Sequence, residues 1–501
     1  MIYSYSDYIQ AHPQWKKHIE RWQFLSDSYI GGLDYKQGEY LQRYVLETDG
    51  EYTDRVRNTP LDNVVKNVVH TYTSFIYSQK IKRDISGLNP DTVNKFTKDA
   101  DLEGRNFTAF MRAVSIYSSV YGHVWCVVDK PSTPVITLAD QQAQNIRPYV
   151  SMYSPENVID WKYSRQPNGV YELTMLNIIE SQDQNSRIHK IYYKDRVETV
   201  VYETNDADYR VMDAVPNPLG MVPAFVCYSS RSPIRGIGIS DVNDIADIQR
   251  SIHSELSEIE QNIRLSSHPS LVKTASVEAT AGAGAVIQMD DNLDPNLKPY
   301  LLETSGEGIS GILDSIKQKV AAVERMAHLE TARGTRTAMS GVAMLVEQKM
   351  LTARLSEKSS NLEHAEEKLW TLFGMWEQTP WTGSVEYPMT FDQRDTAVTL
   401  QNIKMAKDSK PMNPKLIEAI DNLIADTLIE DDEEREAIFA TPSKDTVQHR
   451  PVVDAEDMVT HLREMIDTGY TNQEIMDLHP EIAGLFNDTN NDSQVDEPEQ
   501  R

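Results

Sequence analysis

The sequence predicts an α+β fold in which a mixed body of helices and antiparallel strands precedes a series of long helices. Three features lead to this prediction: helical periodicity in residues 1–85, strand-like runs in residues 147–230, and long helical patterns after residue 240. The strand-like runs are separated by turns rather than by helices. This order is typical of an antiparallel meander and not of the parallel sheets that bind nucleotides.

The N-terminal region is predicted to be mainly helical. Trp15, Ile19 and Trp22 follow a spacing of three to four residues, and the helix is expected to end at Gly31-Gly32. A second apolar-periodic run opens at Thr59-Pro60, and a third, FTAFMRAVSIYSSVYG, reaches Gly122. These segments supply the helices of the predicted body.

The β-sheet of the body is predicted from a change of period after Gly122. Two short, apolar runs are predicted to be strands, HVWCVVDKP and PVITLAD. Three later runs are also strand-like: YELTMLNIIE, RIHKIYYKDRVETVVYE and MVPAFVCYS. Turns at Pro155-Glu156-Asn157, Pro167-Asn168-Gly169 and Asn217-Pro218 separate them. A further strand is expected in SVEYPMTF, after Trp381.

Composition limits the class of protein. The chain has 501 residues, 40% of them apolar, and no stretch approaches the roughly 20 uninterrupted apolar residues of a membrane helix. Its N-terminus lacks the layout of a signal peptide. Cys126 and Cys227 lie in apolar runs and are expected to be buried, as in a protein made in a reducing cytoplasm.

The charge of the chain is strongly acidic, with 49 basic and 76 acidic residues and a net charge of −27. Such a surface is repelled by phosphate and excludes sequence-independent binding of DNA over the whole molecule. Two interpretations remain open: solubility alone, or a surface that touches DNA without adhering to it.

The first long helix carries a narrow apolar seam. Its members step by 3, 4, 4, 3 and 4 residues, and they are Ile245, Ile248, Ile252, Leu256, Ile259 and Ile263. A seam of this width indicates contact with other helices, either in an ordinary buried pair within one chain or between copies of the chain.

Two more long helices follow. An insert at 266–304 leads to a helix that continues the apolar pattern at Ile312, Ile316 and Val320. A third helix covers about 341–376. Between them lies TARGTRTAMS, a small, polar and basic segment with Arg333, Thr335 and Arg336, which is predicted to be a mobile loop.

A glycine motif opens the second of these helices. Gly306, Gly308 and Gly311 spell G-x-G-x-x-G after an apolar run, but no strand follows the helix, so the crossover unit of a dinucleotide site is not predicted. The glycines are instead expected to form a sharp turn and to pack closely against neighbouring segments. The P-loop signature is also missing from the sequence.

Other chemistry is weakly supported. The tail DTNNDSQVDEPE, residues 488–499, follows the spacing of a calcium loop, but Ser493 stands at the glycine position. Only two residues follow Glu499, too few for the helix that would hold this last ligand. A disordered acidic tail is therefore predicted. With no metal, cofactor or catalytic constellation in the sequence pattern, a non-enzymatic role is expected.

Several phrases and their order resemble the portal proteins of tailed double-stranded DNA bacteriophages. They include SDSYIGG, YSPENVIDWKY, NPLGMVPAFVCY before ISDVNDIADIQRSIHSELSEIEQNI, and ETSGEGISGILDSIKQKVAAVERM, and the likeness extends over roughly residues 20–440. The resemblance implies a subunit with a wing, a long-helix stem, a small α/β clip and a helical crown. Its expected divisions are a wing at 1–239 completed by a long helix and closing strand at 341–394, stem helices at 240–265 and 307–328, a clip at 266–306, a tunnel loop at 329–340, a crown at 395–486 and an acidic disordered tail at 487–501.

The resemblance also implies a function. Portal proteins form a homo-oligomeric ring, usually a homododecamer, at one capsid vertex of the virion, and double-stranded DNA passes through the channel without sequence specificity during packaging and ejection. Implied partners are the packaging ATPase (terminase large subunit), a head-tail adaptor, and the major capsid and scaffold proteins, with synthesis in the host cytoplasm as a late protein. No membrane or cofactor is implied.

Residue roles follow from the same resemblance. Arg333, Thr335 and Arg336 would face the DNA, Gly306, Gly308 and Gly311 would form a hinge between clip and stem, and the two helices of the stem would contribute the oligomer seam. Two other interpretations stay open: an acidic scaffold or adaptor with a calcium-responsive tail, and an enzyme that uses the glycine motif.

Overall fold

The computed structural model describes residues 11–131, 144–182, 186–203, 209–267, 270–272, 300–302, 307–329 and 341–391, together with a few positions after residue 402. The chain divides into two units, Met1–Asp392 and Gln393–Arg501. The first unit is α+β, which confirms the predicted fold class. In the second unit only isolated helical positions such as 403–405 are described, so the predicted crown and tail fall almost wholly outside the described residues.

Helices dominate the chain up to Tyr121, strands dominate from His123 to Ile239, and the long helices follow. The helices are α1 Pro13–Ile30, α2 Gly32–Gln37, α3 Asp49–Asn58, α4 Val64–Ile76, α5 Pro90–Lys98, α6 Phe107–Tyr121, α7 Asn243–Ser267, α8 Glu307–Met326 and α9 Gly341–Glu377. The strands are β1 Lys82–Arg83, β2 His123–Asp129, β3 Tyr149–Tyr153, β4 Val158–Arg165, β5 Tyr171–Gln182, β6 Ser186–Tyr193, β7 Arg196–Glu203, β8 Tyr209–Pro216, β9 Ala224–Tyr228, β10 Ser230–Arg231, β11 Gly238–Ile239, β12 Ser270–Val272, β13 Tyr300–Leu302 and β14 Val385–Glu386.

The N-terminal helices begin and end close to the predicted positions. The N–H of Gly31 donates to the carbonyl of Asp27 at the end of α1, and Gly31 has a φ of 71°, as expected of a glycine stop. The start of α4 differs: it begins at Val64 and not at Thr59-Pro60, because the side chain of Asn63 accepts the N–H of Lys66 at 2.8 Å and caps the helix there.

Two antiparallel sheets form the β part of the body. Strands β4 to β8 pair in sequence order in one five-stranded sheet, which is the predicted meander. The second sheet has the order β3-β2-β9, and its central strand β2 is buried along nearly its whole length. The predicted strand PVITLAD, at 134–140, lies outside the described residues.

Gly122 shows why the chain can pass from helix to sheet at one residue. It has a φ of 89°, in the left-handed region that favours glycine, and an added Cβ would lie 2.6 Å from the backbone nitrogen of Ser240. Both the conformation and the close approach of the chain before α7 therefore require glycine. The end of α6, the start of β2 and the entry to α7 meet at this point.

Helix α9 crosses the body and supplies much of its core. At 37 residues it is roughly 55 Å long. Its buried apolar residues recur at helical spacing and pack in one cluster with α4, β2 and β9; they include Leu351, Leu355, Leu362, Leu369, Trp370 and Phe373. The predicted length of this helix, 341–376, is confirmed to within one residue.

A buried carboxylate fastens α9 to the neighbouring chain segments. Glu366 has no exposed side-chain surface, and its two oxygens accept from the guanidinium of Arg83 at 2.5 and 3.1 Å. The hydroxyl of Tyr387 donates to the same carboxylate at 2.7 Å, and the indole N–H of Trp370 donates at 3.2 Å. This network fills all sides of the carboxylate with donors.

The same network explains why the predicted strand SVEYPMTF is short. Strand β14 contains only Val385 and Glu386, which pair with β1. The next residue, Tyr387, turns its hydroxyl to Glu366 and donates its backbone N–H to Glu363 Oε2 at 3.0 Å. Pro388 then has no N–H to offer a ladder, so the pairing ends.

Both cysteines lie in the core. Cys126 on β2 and Cys227 on β9 are free thiols and completely buried, as the sequence predicts. Burial raises the pKa of the Cys227 thiol to about 12 and places that of Cys126 well above its ordinary value.

Candidate functional site

The candidate site is the α7–α8 hairpin, defined as α7, the short β12–β13 pair and α8. Strands β12 and β13 are antiparallel, with Ser270 opposite Leu302. Helix α7 begins at Asn243 rather than at 240, because the hydroxyl of Ser240 accepts the N–H of Val242 at 3.1 Å ahead of the helix. The two helices otherwise agree with the predicted bounds, and most of the predicted clip at 266–306 lies outside the described residues.

Polar contacts hold the first two thirds of α7 in the body. Arg21 donates to both oxygens of Asp247 at 3.0 and 2.8 Å. The amide of Gln249 is buried, accepting the N–H of Val65 at 3.0 Å and donating to the carbonyl of Ser28 at 2.9 Å. Because these contacts join α7 to two N-terminal helices, α1 and α4, the body fixes the direction of α7.

The predicted seam of α7 is divided between the body and the solvent. Ile245, Ile252 and Ile259 are buried within the chain itself, and Ile248 and Leu256 are partly covered. Ile263 is 44% exposed. Contact of the whole seam with other copies stays a prediction. The chain itself buries or partly covers the seam up to Ile259, and Ile263 at its far end is the most exposed member.

Helix α8 carries an apolar stripe that is covered at one end only. Val323 near its end and Ala327 directly after it are buried. The predicted members Ile312, Ile316 and Val320 are partly exposed, Ile309 likewise, and Leu313 is 42% exposed. We call Ile309, Ile312, Leu313 and Ile316 the open stripe.

Polar contacts join the two helices along one edge of this stripe. The hydroxyl of Ser315 donates to Glu255 Oε1 at 2.6 Å, and the ammonium of Lys319 lies 2.6 Å from the same oxygen. Lys319 also donates to the hydroxyl of Ser251 at 2.7 Å. At about 100° per residue, Ser315 and Lys319 lie beside Ile312 on the helix surface, so this edge of the stripe adjoins α7. The other edge, at Leu313, is the more exposed one.

The glycine motif adopts a different geometry from the one predicted. Gly308 and Gly311 lie inside α8, neither has a positive φ, and an added Cβ would meet no atom within 4 Å at either position. The expected sharp turn and close packing are therefore wrong for these two residues within the chain, while Gly306 lies outside the described residues. Since β13 pairs antiparallel with β12, the parallel crossover of a dinucleotide site is not built from the described strands.

The remaining predicted residues cannot be placed. Arg333, Thr335 and Arg336 belong to 330–340, which lies outside the described residues. Their proximity to DNA stays a prediction.

A buried ion pair at the base of the hairpin was not predicted. The ammonium of Lys358, on α9, lies 2.9 Å from Asp241 Oδ2, just before α7, and also donates to the hydroxyl of Ser229 at 3.0 Å. Arg354 donates to the other oxygen of Asp241 at 3.2 Å. The cluster borders a cavity of about 100 Å³.

The electrostatics of this cluster favour the charged carboxylate. Burial alone would raise the pKa of Asp241, but Lys358 and Arg354 outweigh burial and lower the pKa below its ordinary value. The sequence contained one signal for the pair: Lys358 stands between Leu355 and Leu362 on the apolar face of α9, where a charge needs a partner.

The described residues also bear on two other kinds of site, metal centres and membrane-spanning helices. No group of three or more His, Cys, Asp or Glu side chains is arranged there to hold a metal ion. Among the helices in the described part of the chain, none combines the length and apolar character needed to cross a membrane.

Comparisons with known proteins give weak structural likenesses. The chain matches no protein-family model, and no curated protein matches its sequence. Among solved structures it is similar to a chain of the virion of a native gene transfer agent particle, with 10% identity and a TM-score of 0.43, covering 78% of this chain and 98% of that one. It is also similar to a chain from the neck of an empty gene transfer agent particle, with 9% identity, a TM-score of 0.44 and the same coverage. These TM-scores are too low to establish a shared fold.

Proposed function

We propose that this chain is a portal-type subunit, which assembles with identical copies into a ring around a DNA channel at one vertex of a phage-type capsid. The observation that carries the proposal is the α7–α8 hairpin, which the body holds firmly at one end and in which the open stripe of α8 stays partly exposed at the other. Apolar surface of this kind on a rigid element marks an interface. Identical neighbours in a ring would cover it on every subunit.

The order and lengths of the elements support the same proposal. A mixed body, a long helix of 25 residues, a short strand pair, an antiparallel helix of 20 residues and a third helix of 37 residues follow one another as the resemblance to portal proteins implies. The three long helices begin and end within a few residues of the bounds expected from the sequence, which supports their assignment to a stem and a wing.

The charge of the chain suits a conduit. Each phosphate that a protein neutralises strengthens binding to DNA through release of counterions, so a channel rich in basic residues would retard the duplex. A subunit with a net charge of −27 repels the backbone instead. We assign the few DNA contacts to Arg333, Thr335 and Arg336 in the basic segment between α8 and α9.

The proposal includes partners and excludes catalysis by this chain. The packaging ATPase would dock at the insert between α7 and α8 and be replaced by a head-tail adaptor after filling, and capsid and scaffold proteins would contact the body or the C-terminal unit. The chain needs no cofactor for this role, because ATP hydrolysis belongs to the partner.

The test of the proposal is the mass and shape of the purified protein. We expect multi-angle light scattering to give about twelve copies per particle and negative-stain images to show a ring with a central hole. A particle of one or two copies at micromolar concentration would contradict the proposal and favour the acidic adaptor.

The DNA-facing role predicts the phenotype of a charge reversal. Arg333→Glu combined with Arg336→Glu should leave the ring intact but reduce the DNA packaged and retained per particle, because the few attractive contacts become repulsive. The DNA content of purified particles is the measurement. Lys95→Glu with Lys98→Glu, which reverses two exposed charges on α5, is the matched control, and equal DNA content in both variants would refute the assignment.

A further inference from the structure

A tight turn between α2 and α3 exposes two large aliphatic side chains. The N–H of Glu47 donates to the carbonyl of Tyr44 at 3.2 Å, which closes a turn with Val45 and Leu46 at its centre. Val45 is 99% exposed and Leu46 is 94% exposed. We call these two residues the knob.

Buried charges hold the turn in place. Glu47 and Arg55 are both almost completely buried, and Arg55 donates to both oxygens of Glu47 at 2.7 Å and to the carbonyl of Gln42 at 2.7 Å. The guanidinium of Arg55 also lies 4.0 Å from the ring centroid of Tyr44. These contacts tie both sides of the turn to Arg55 on α3, so the knob stands on a supported turn.

The support places the knob beside the α7–α8 hairpin. Arg55 donates to the hydroxyl of Ser257 at 3.1 Å, and the hydroxyl of Tyr44 donates to Glu258. Helix α8, in contrast, meets α7 at Glu255. Since residues of a helix are separated by about 100° each, Glu255 and Ser257 point about 200° apart. Arg55 and α8 therefore contact nearly opposite sides of α7.

We propose that the knob of one copy inserts into the open stripe of α8 on the next copy. This inference rests on the proposed ring and identifies the contact that builds it. A head-to-tail ring needs two different and complementary surfaces on each subunit, and a convex aliphatic pair and an uncovered apolar stripe on opposite sides of one helix meet that need. The occupant is a second copy of this chain, because the chain itself presents both halves of the contact.

Disruption of the knob tests the contact in the full-length protein. Val45→Asp with Leu46→Asp should raise the subunit concentration needed for half-assembly by about 100-fold or more, since two charges would be placed against the apolar open stripe. Leu313→Asp, on the open stripe, should have the same effect. Val170→Asp is the control: it changes another exposed aliphatic side chain, in the turn between β4 and β5, and this variant should assemble normally. Circular dichroism checks that each variant is folded.

Engineered cysteines test the pairing directly. The double variant Val45→Cys with Leu313→Cys should form a ladder of disulfide-linked multimers on mild oxidation, and neither single variant should do so.

The possible results distinguish failure of the knob contact from failure of the proposed ring. Normal assembly of Val45→Asp with Leu46→Asp, together with no ladder, would overturn the knob contact while the ring remains. Linked dimers from Val45→Cys alone would show a symmetric contact and also overturn it. An unassembled wild-type protein would overturn the proposed function and the knob together.

Discussion

Replacing Glu366 with alanine is expected to lower the free energy of unfolding by about 3–5 kcal/mol. The carboxylate is buried and neutralises Arg83, whose guanidinium is itself mostly buried. Its removal leaves that charge and the hydroxyl of Tyr387 without their acceptor in the core. Because the indole of Trp370 also donates to Glu366, tryptophan fluorescence in a urea titration reports on the loss.

A neighbouring carboxylate provides the control for this measurement. Glu367 is partly exposed on the same helix and contacts only His364 at 3.6 Å among the ion pairs of the described residues, so Glu367→Ala should change stability by no more than about 0.5 kcal/mol. Arg83→Met combined with Glu366→Leu removes both charges and should cost less than Glu366→Ala alone. A loss below about 1 kcal/mol for Glu366→Ala would show that the network is not a source of stability.

Replacing Lys358 with methionine is the second change with a large expected effect, about 3 kcal/mol of unfolding free energy at pH 7. Asp241 would keep only Arg354 as a charged partner and would remain buried. Its pKa should rise, since burial then outweighs the remaining attraction. Lys349→Met, which replaces an exposed lysine of the same helix, should have little effect.

The stability that Asp241 contributes is expected to fall as the pH is lowered. In the natural protein the pKa of Asp241 lies below its unfolded value, so the carboxylate contributes stability that is complete above the unfolded pKa, near 4, and is lost as the pH falls through the folded pKa. Asp241→Asn should remove the part of the stability that is lost in acid. The double variant Lys358→Met with Asp241→Asn should be more stable at pH 7 than Lys358→Met alone, because no unpaired carboxylate stays buried. Thermal unfolding between pH 3 and 7 measures both effects, and identical pH profiles for wild type and Asp241→Asn would contradict the assignment.

These two ion pairs illustrate what could be predicted from the sequence. The bounds of α7, α8 and α9 follow from long helical periodicity, which local residue order determines. The apolar face of α9 is equally visible, and Lys358 and Glu366 are charges within it. Their partners are not visible, because Asp241 and Arg83 lie more than a hundred residues away in the chain, and only tertiary packing brings them near.

The hairpin shows the same limit for apolar residues. Periodicity identifies Ile245, Ile252 and Ile263 as members of one seam, but it does not show that the body covers the first two and leaves the third in water. The knob was missed for a different reason. Val45 and Leu46 stand in a turn, where no period distinguishes an exposed pair from a buried one, and their exposure follows from the support given by Arg55.

The depth of Cys126 and Cys227 gives the protein chemically silent thiols. Thiolate is the form that reacts with oxidants, maleimides and other sulfhydryl reagents, and at neutral pH almost none of it exists at either position. A single cysteine introduced on the surface would thus be the site that takes a fluorophore or spin label, and Cys126 and Cys227 would not need to be replaced. Distances between labelled copies could then be followed while subunits associate.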